Sequence, residues 1–248
     1  MFFRRRYDKE IMDDRTIVDD RLTRALDELR VINLFLGGRS TTTAGIRELL
    51  ESIRSHPVHG TTAASQASGE RGQDGACSRP LTILDVGSGG SDNFAAATAG
   101  SRAIEIISVD INPGACDYIL AHDRERPIVC GDARALPFKP GSVDIVHVAL
   151  FLHHFSEEEI GRMLQAFLGI ARYGVVVNDL RRSYLALAGI SLLTRVFSRS
   201  AMVRNDAPLS VKRGFVRADM LGLLRGLQCS SFTLHRRWAF RWLAVIIT

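Results

Sequence analysis

From Leu81 onward the sequence repeats one unit, in which a short apolar run is followed by a turn and a helical stretch. The runs cover residues 81–86, 104–109, 127–130, 143–148 and 174–177. They are mostly apolar at successive positions, which is typical of strands that helices cover on both faces. Parallel strands need crossover connections between them, so this rhythm predicts a doubly wound α/β sheet.

The segments around this core complete the predicted fold. An apolar stripe with three- and four-residue steps predicts a helix that Gly37-Gly38 ends, and a shorter helix follows over 44–53. Residues 232–234 and 242–247 predict a closing antiparallel pair. We therefore expect a Rossmann-like doubly wound sheet, mostly parallel with an antiparallel final strand, plus an N-terminal helical cap.

Composition divides the chain into three parts. Residues 1–55 form the predicted helical cap, and residues 81–248 form the predicted ligand-binding domain. Between them, residues 56–80 are rich in Gly, Ser, Thr and Ala and lack aromatic side chains. This composition predicts a flexible linker or loop. In the last part of the domain, we predict that the polar residues 205–213 form a loop over the substrate.

The cysteines do not indicate a metal or disulfide framework. Cys77, Cys116, Cys130 and Cys229 are far apart, with no Cys-x-x-Cys pair and no interleaved histidines. Clustered Asp, Glu and His ligands are also missing from the sequence pattern, so we expect no metal. The N-terminus lacks the apolar run of a secretory signal, and the apolar stretches are too short to cross a bilayer. A cytoplasmic location is the expectation.

Glycines and acids follow three of the predicted strands. Gly87 and Gly89 follow the first, Asp110 ends the second, and Asp132 follows the third. Glycines let a backbone turn approach a ligand, and a carboxylate at the second strand can accept hydrogen bonds from a ribose diol. Each feature alone is also explained by a tight turn or a helix cap. The three together, in this order, favour a nucleoside ligand at the carboxyl edge of the sheet.

The residues after Gly87 narrow the type of nucleotide. A dinucleotide fingerprint needs a small residue at the third glycine position, where this chain has Asp92. A carboxylate there would repel a pyrophosphate, which disfavours NAD and FAD. A Gly-Lys-Ser/Thr phosphate loop is missing as well. Asp85, directly before the glycines, suits a ligand with positive character.

On these residues, the chain resembles the class I S-adenosylmethionine-dependent methyltransferases. The matching segments are LDVGSGGSD, ISVDINP, CGDARALPF and VDIVHVALFLHHF, and the resemblance covers roughly residues 81–179. The last two look most like the small-molecule branch that includes ubiquinone and menaquinone methyltransferases. The first helix and the basic C-terminal part look like bacterial methyltransferases of polyketide-type phenolic products. Ser91 replaces the third glycine of the family's commonest turn.

The resemblance implies S-adenosylmethionine as cofactor and assigns residues to it. It places Asp110 at the ribose hydroxyls and Asp132 at the adenine amino group. Charge complementarity further suggests Arg39 for the methionine carboxylate. The cofactor-binding residues implied are Asp85, Gly87, Ser88, Gly89, Asp110, Ile111, Asp132, Ala133 and Leu150.

The acceptor side is predicted from the ends of the fourth and fifth strands. A substrate atom attacks the sulfonium methyl in line, and a general base is needed where that atom must lose a proton. His154 is the candidate base, and its neighbour His153 is a candidate substrate contact. Both histidines can equally be packed or capping residues. Asn178, Asp179 and Arg181 are further candidate substrate contacts, with the capping of a helix end as the alternative.

Three classes of function stay open on these residues. The expected one is methylation of a small molecule, as O-methylation of a phenolic, quinone or polyketide-type acceptor. An RNA or protein methyltransferase is the second, because residues 181–248 hold twelve basic residues and two acidic ones. These arginines are scattered among apolar residues, so we expect no nucleic-acid partner. The third is a non-catalytic cofactor-binding or membrane-peripheral protein, whose apolar helix 184–197 would contact a membrane; we expect that helix to be core. The sequence leaves the oligomeric state open.

Overall fold

Seven strands form one sheet in the order β3-β2-β1-β4-β5-β7-β6. The computed structural model describes residues 4–55, 79–90, 94 and 103–248. The predicted linker of residues 56–80 lies outside them except for Arg79 and Pro80, as do Cys77, Ser91 and Asp92. The strands are β1 (Leu81–Val86), β2 (Ile104–Asp110), β3 (Ile128–Cys130), β4 (Val143–Ala149), β5 (Ala171–Leu180), β6 (Ser231–Arg237) and β7 (Arg241–Ile247). The helices are α1 (Asp20–Phe35), α2 (Gly38–Ser55), α3 (Pro113–His122), α4 (Glu157–Ile170), α5 (Tyr184–Phe197), α6 (Ala201–Arg213) and α7 (Arg217–Arg225).

Strand direction agrees with the predicted fold. β1 pairs in parallel with β2 and β4, β2 with β3, and β4 with β5, while β7 runs antiparallel to both β5 and β6. The strand order therefore reverses between β1 and β4, and ligands of open α/β sheets bind beside such a point. The predicted Rossmann-like doubly wound sheet with an antiparallel final strand is confirmed.

Each face of the sheet is buried by its own helices. Alternating residues such as Leu84 and Val86 pack on one side with side chains of α4 and α7. Their neighbours on β1, including Ile83, pack on the other side against α2, where Ile46 and Leu49 are buried. Helix α4 carries the predicted capping box of Ser156 and Glu159, and its stripe of six buried side chains fills the first layer. The sheet is thus held rigid beneath its carboxyl edge.

Helices α1 and α2 meet at a tight corner. α1 ends at Phe35, and Gly37 adopts a left-handed conformation with φ +76°. A Cβ at Gly37 would lie 2.2 Å from the carbonyl oxygen of Trp238, so a side chain would not fit there. α2 begins directly at Gly38, which makes it longer than the predicted helix over residues 44–53.

The prediction of a polar loop over residues 205–213 is wrong, because this stretch belongs to α6. The buried side chains of Met202, Val203, Ala207 and Val211 give α6 its apolar stripe. Interspersed polar residues and Pro208 hide that stripe in the sequence. The reason that a polar residue is tolerated inside is that Asp206 accepts hydrogen bonds from the backbone N–H groups of residues 11 and 12, at 2.9 and 3.0 Å.

Helix α5 is core on one face only. Its buried side chains are Ala186, Ile190 and Thr194, which face α6 and its neighbours. Its exposed apolar side chains are Tyr184, Leu185, Leu192, Val196 and Phe197. The helix therefore packs into the core through one face, as expected, and its second face is exposed. Among the described residues, the helices fall short of the length and apolar character needed to cross a bilayer.

Candidate active site

A crevice of about 390 Å³ opens at the carboxyl ends of β1, β2 and β3. Backbone and side chains from all three strand ends reach it, together with the N-terminal segment and the turn after β4. Its lining residues are Arg15, Gly87, Val109, Asp110, Ile111, Gly131, Asp132, Ala133, Arg134, Phe151 and Phe155.

The turn after β1 approaches the crevice as bare backbone. Gly87 and Gly89 have φ values of +68° and +51°, a region that glycine occupies without strain. A Cβ on Gly87 would lie 2.1 Å from Cδ2 of Phe151, whose ring also lines the crevice. The N–H of Gly87 donates to the carbonyl of Val109 at 2.9 Å, which ties the turn to β2. A side chain at Gly87 would therefore displace the crevice wall.

Asp110 is fixed in position by backbone amides. Its Oδ2 accepts from the N–H of Gly89 at 2.8 Å, and its Oδ1 accepts from the N–H of Asn112 at 2.9 Å. Burial raises the pKa of Asp110, and these hydrogen bonds act in the opposite direction. A carboxylate has about four lone-pair sites, so each oxygen keeps capacity for a further donor. This fixed carboxylate fits a ribose diol.

Asp132 lines the crevice and forms an ion pair with Arg134. Nη2 of Arg134 lies 2.6 Å from its Oδ2, and the N–H of Arg134 donates to its Oδ1 at 2.9 Å. The Arg134 hydrogen bond lowers the pKa of Asp132. Ala133, beside it, supplies a small apolar surface to the crevice. The predicted adenine contact, Asp132, is therefore an ionised carboxylate that an arginine orients.

Other predicted cofactor residues lie behind or beside this lining. Asp85 is 1% exposed, and its Oδ1 lies 2.7 Å from Nδ1 of His147. Ser88 is buried and its hydroxyl donates to the carbonyl of Val109 at 3.3 Å. Leu150 has φ 51°, a left-handed conformation that is strained for its side chain and that recurs at functional sites. Their cofactor contacts stay predictions.

The structure adds residues that the sequence did not single out. Phe151 and Phe155 line the crevice, and they stand in the VALFLHHF segment on either side of the predicted histidines. Arg15 lines the crevice as well. Arg39, the predicted contact of the methionine carboxylate, lies in the first turn of α2 and is not among the described lining residues. The phenylalanines could have been found from their position after β4. Arg15 carries no such signal, since its segment reaches the site through tertiary contacts.

A buried chain of hydrogen bonds lies on the α2 side of β1, β4 and β5. Nε2 of His147 lies 2.9 Å from Oγ1 of Thr42, which also accepts from Nδ2 of Asn178 at 3.1 Å. Arg241 donates to Oδ1 of Asn178 at 3.2 Å. All four side chains are nearly or fully buried. Asn178, a predicted substrate contact, thus has protein partners on its amide oxygen and nitrogen.

Asp179 organises the turn that follows β4. Its Oδ2 accepts from the N–H groups of Phe151 and Leu152 at 3.2 and 2.9 Å. Its Oδ1 lies 2.7 Å from Nδ1 of His153. Burial raises the pKa of Asp179, but His153 and the backbone donor of Leu180 outweigh burial and lower it overall. The carboxylate therefore supports His153 and the crevice wall from behind.

Two acidic residues of the N-terminal segment, Asp13 and Glu10, lie beside the two predicted histidines. His154 has Nδ1 at 2.7 Å from Oδ1 of Asp13, and its side chain is 23% exposed. Nε2 of His153 and Nε2 of His154 lie 3.8 and 4.0 Å from the carboxylate of Glu10. Burial raises the pKa of Glu10, which His154, Ser210 and Arg213 oppose. Glu10 and Asp13 were not among the predicted residues, because their segment is far away in the chain.

Arg181 lies apart from these groups. Its guanidinium carbon sits 5.1 Å from the centroid of the Phe240 ring, and its backbone N–H donates to the carbonyl of Phe240. Burial, followed by Arg236, lowers the pKa of Arg181. A contact between Arg181 and a substrate stays a prediction.

The comparison with protein families bears on this crevice. Residues 84–177 match the family model described as a methyltransferase domain. The matched segment holds the glycine turn, Asp110, Asp132 and the histidine turn. The match supports the predicted class I methyltransferase and S-adenosylmethionine as its cofactor.

Individual relatives are more distant. The biotin biosynthesis bifunctional protein BioHC of Cellvibrio japonicus is 28% identical over 156 residues, which are 62% of this chain and 29% of that protein. The chain thus matches less than a third of that relative's length. The structure of the plantazolicin methyltransferase BpumL, in complex with SAH, has a TM-score of 0.59 at 11% identity, over 96% of this chain and 98% of that one. The structure of the magnesium protoporphyrin IX methyltransferase of Synechocystis PCC 6803 has a TM-score of 0.49 at 16% sequence identity, and the match covers 85% of this chain and 84% of that one. At such identities the likeness to BpumL shows the fold alone.

Proposed function

We propose that this protein transfers the methyl group of S-adenosylmethionine to a small-molecule acceptor. The observation that carries the proposal is the position of Asp110. It is held by two backbone amides at the wall of a crevice that the matched methyltransferase domain builds from three successive strand ends. The order of glycine turn, ribose-binding acid and second acid is what an adenosyl ligand needs.

The residues present fit that cofactor. Gly87 leaves the space that a Cβ would fill, and Asp110 keeps acceptor capacity for the two ribose hydroxyls. Asp132 supplies an acceptor for the adenine amino group, with Ile111 and Ala133 beside it. When bound, S-adenosylmethionine supplies a methyl group on a positively charged sulfur.

The protein's contribution to the reaction is alignment and the exclusion of water. Phe151 and Phe155 form an apolar wall, with ring centroids 4.8 Å apart. Asp179 fixes the backbone at Phe151, so this wall is positioned by a fully buried carboxylate. His154 is the partly exposed histidine and Asp13 orients its ring, as expected of a candidate general base. His153 is buried behind this wall, and its role as a substrate contact is part of the proposal.

For the acceptor we propose a phenolic, quinone or polyketide-type molecule that is methylated on oxygen. The aromatic wall favours a flat apolar acceptor. A hydroxyl nucleophile must lose its proton, and His154 stands in the turn beside that wall. We further propose that the enzyme acts in the cytoplasm.

The test of the function combines cofactor binding with a transfer screen. Calorimetry of the full chain with S-adenosylmethionine is expected to give a dissociation constant in the micromolar range, and Asp110→Ala is expected to weaken binding at least about tenfold, because a charge-assisted hydrogen bond contributes roughly 1.5–3 kcal/mol. Asp123→Ala is the matched control, since Asp123 pairs with Arg126 and neither residue is among those that line the crevice. Circular dichroism checks that both variants fold.

The screen uses labelled cofactor with phenols, quinones, fatty acids and bulk RNA, and it detects transfer as a mass shift. Transfer to a phenol or quinone is expected. Unchanged cofactor affinity in Asp110→Ala would contradict the site. Transfer to RNA alone would replace the small-molecule acceptor with the nucleic-acid alternative.

A further inference from the structure

The turn after β4 and the N-terminal segment bring together three side chains that can ligate a metal. Glu10, His153 and His154 each offer one ligand atom, and these atoms all lie within 4.8 Å of one another. Glu10 and His153 are buried, and His154 is partly buried. We propose that this cluster, the Glu10–His153–His154 site, binds a divalent first-row transition metal ion, with Zn²⁺ as the reference ion.

The buried ring of His153 has an unpartnered nitrogen. His153 is 2% exposed, and its Nε2 has no hydrogen-bond partner among the described residues. A buried polar atom in that state costs free energy, so native proteins rarely leave one unexplained. This atom lies 3.8 Å from Oε1 of Glu10, at a separation that is too long for a hydrogen bond. A cation between the two would give Nε2 of His153 a partner and would take Oε1 of Glu10 as a second ligand, beside the hydrogen bond that this oxygen accepts from Ser210 at 2.8 Å.

The surroundings of His153 and His154 impose one tautomer on both rings. Nδ1 of His153 faces Asp179 and Nδ1 of His154 faces Asp13, each at 2.7 Å. A neutral imidazole whose Nδ1–H donates to a carboxylate carries its lone pair on Nε2, which is the atom available to a metal. Carboxylates placed behind histidine ligands in this way orient the rings and raise their basicity in metal sites.

The side chains around the two rings carry an excess of negative charge. Three carboxylates contact the two imidazoles: Glu10, Asp13 and Asp179. Arg213 bridges two of them, with Nη1 at 2.9 Å from Asp13 and 3.6 Å from Glu10. With neutral rings and all three carboxylates ionised, this group has two more negative charges than positive ones. A divalent ion would balance it.

The donor set determines which ions fit. Two imidazole nitrogens and one carboxylate suit Zn²⁺ and other late first-row ions, whereas Mg²⁺ and Ca²⁺ take oxygen ligands. Bonds of about 2.1 Å let two ligand atoms be at most about 4.2 Å apart. Nε2 of His153 lies 3.8 Å from Oε1 of Glu10, and Nε2 of His154 lies 4.0 Å from its Oε2, so each separation falls within that limit. The three ligand atoms of the cluster lie within 4.8 Å of one another. Three protein ligands leave a position open for water or for an oxygen of a bound molecule.

This site does not rest on the proposed methyl transfer, because the cluster binds the ion with its own side chains. It does bear on the role of His154. A ring whose Nε2 ligates a metal cannot also take a proton there, so the two assignments exclude each other. In the metal-bound protein, lowering the pKa of an acceptor hydroxyl would be the task of the ion.

The experiment measures metal binding on the full chain without a histidine tag. The protein is stripped with a chelator and dialysed against Zn²⁺, and metal content is read by mass spectrometry. One tightly held Zn²⁺ per chain is expected, with excess Mg²⁺ unable to displace it. His153→Gln and Glu10→Gln are each expected to lower the affinity at least about tenfold. His235→Asn is the matched control, because His235 pairs with Glu48 on the surface.

Co²⁺ substitution identifies the ligands independently of any activity. A d–d spectrum of a nitrogen- and oxygen-ligated ion is expected, without thiolate-to-cobalt charge transfer, and it should disappear in the double variant His153→Gln/His154→Gln. Thermal unfolding of each variant without metal checks that it folds. Absence of bound Zn²⁺ and Co²⁺ from the folded wild-type chain would overturn the proposal. A thiolate spectrum, or binding that survives the double variant, would place the ion elsewhere and overturn it equally.

Discussion

At the carboxyl ends of β1–β3 the polar groups line an open crevice, whereas at the ends of β4 and β5 they are buried among protein partners. Asp110 on the open side is held by amides of adjacent turns. Asp179 and Asn178 on the buried side contact residues from distant elements. The open side is thus built from local strand–turn geometry, and the buried side from tertiary contacts with α2, β7 and the turn after β4. We accordingly expect substitutions on the open side to change cofactor affinity and substitutions on the buried side to change the free energy of unfolding.

The largest expected effect is a loss of cofactor affinity on the open side. Gly87→Ala places a Cβ at φ +68° and 2.1 Å from the Phe151 ring, so we expect cofactor affinity to fall at least about 100-fold in calorimetry. Gly141→Ala is the control, since Gly141 has φ +60° with no described atom within 4 Å of an added Cβ. Equal losses in both variants would show that backbone strain, rather than the crevice wall, is responsible.

The next effect sharpens the description of the buried side. Thr42→Val removes the hydroxyl shared by His147 and Asn178, and we expect a loss of about 2 kcal/mol in the free energy of urea unfolding. Thr41→Val is the matched control. Thr41 is equally buried, but its hydroxyl has no partner among the described residues, so its removal should be neutral or stabilising. A larger loss in Thr41→Val would contradict the hydrogen-bond chain.

The carboxylate of Asp144, at the amino end of β4, is a reference for buried ion pairs. Burial raises the pKa of Asp144, but hydrogen bonds from Arg79, Thr82 and Arg172 outweigh burial and lower it overall. A lowered carboxyl pKa stabilises the fold above the ordinary value near 3.8, and that stability is lost as the pH falls through the folded-state pKa.

We therefore expect Asp144→Asn to cost about 1.5 kcal/mol in urea unfolding at pH 7. The difference from the wild type should shrink as the pH is lowered below the ordinary aspartate pKa. A difference that stays constant down to about pH 2 would mean that Asp144 contributes through packing and neutral hydrogen bonds, and not through its charge.

The smallest expected effect lies again on the open side. Asp132→Asn keeps an oxygen acceptor and removes a charge that Arg134 already pairs with, so we expect cofactor affinity to fall only about threefold. Arg134→Gln, which removes that arginine, is expected to change affinity by no more. A loss as large as that of Asp110→Ala would mean that Asp132 contributes its charge directly to the ligand.

The same contrast explains what the sequence could predict. The strand rhythm, the capping box of α4 and the three strand-end acids are local patterns, and the predicted sheet was confirmed. The loop predicted over residues 205–213 was wrong because only tertiary partners reveal why Asp206 is buried. Glu10, Asp13 and Arg15 were missed for the same reason, since nothing near them in the chain marks the turn that they contact.

The anchoring of the N-terminal segment on α6 has a consequence for engineering. Asp206 binds the amides of residues 11 and 12, and Ser210 donates to Glu10 at 2.8 Å. The stretch that carries Glu10, Asp13 and Arg15 is therefore held by α6 and by the turn after β4. A chimera that exchanges this stretch together with α6 as one cassette would keep the contacts of Asp206 and Ser210 within the exchanged part, while β1–β3 and the turns that follow them stay unchanged.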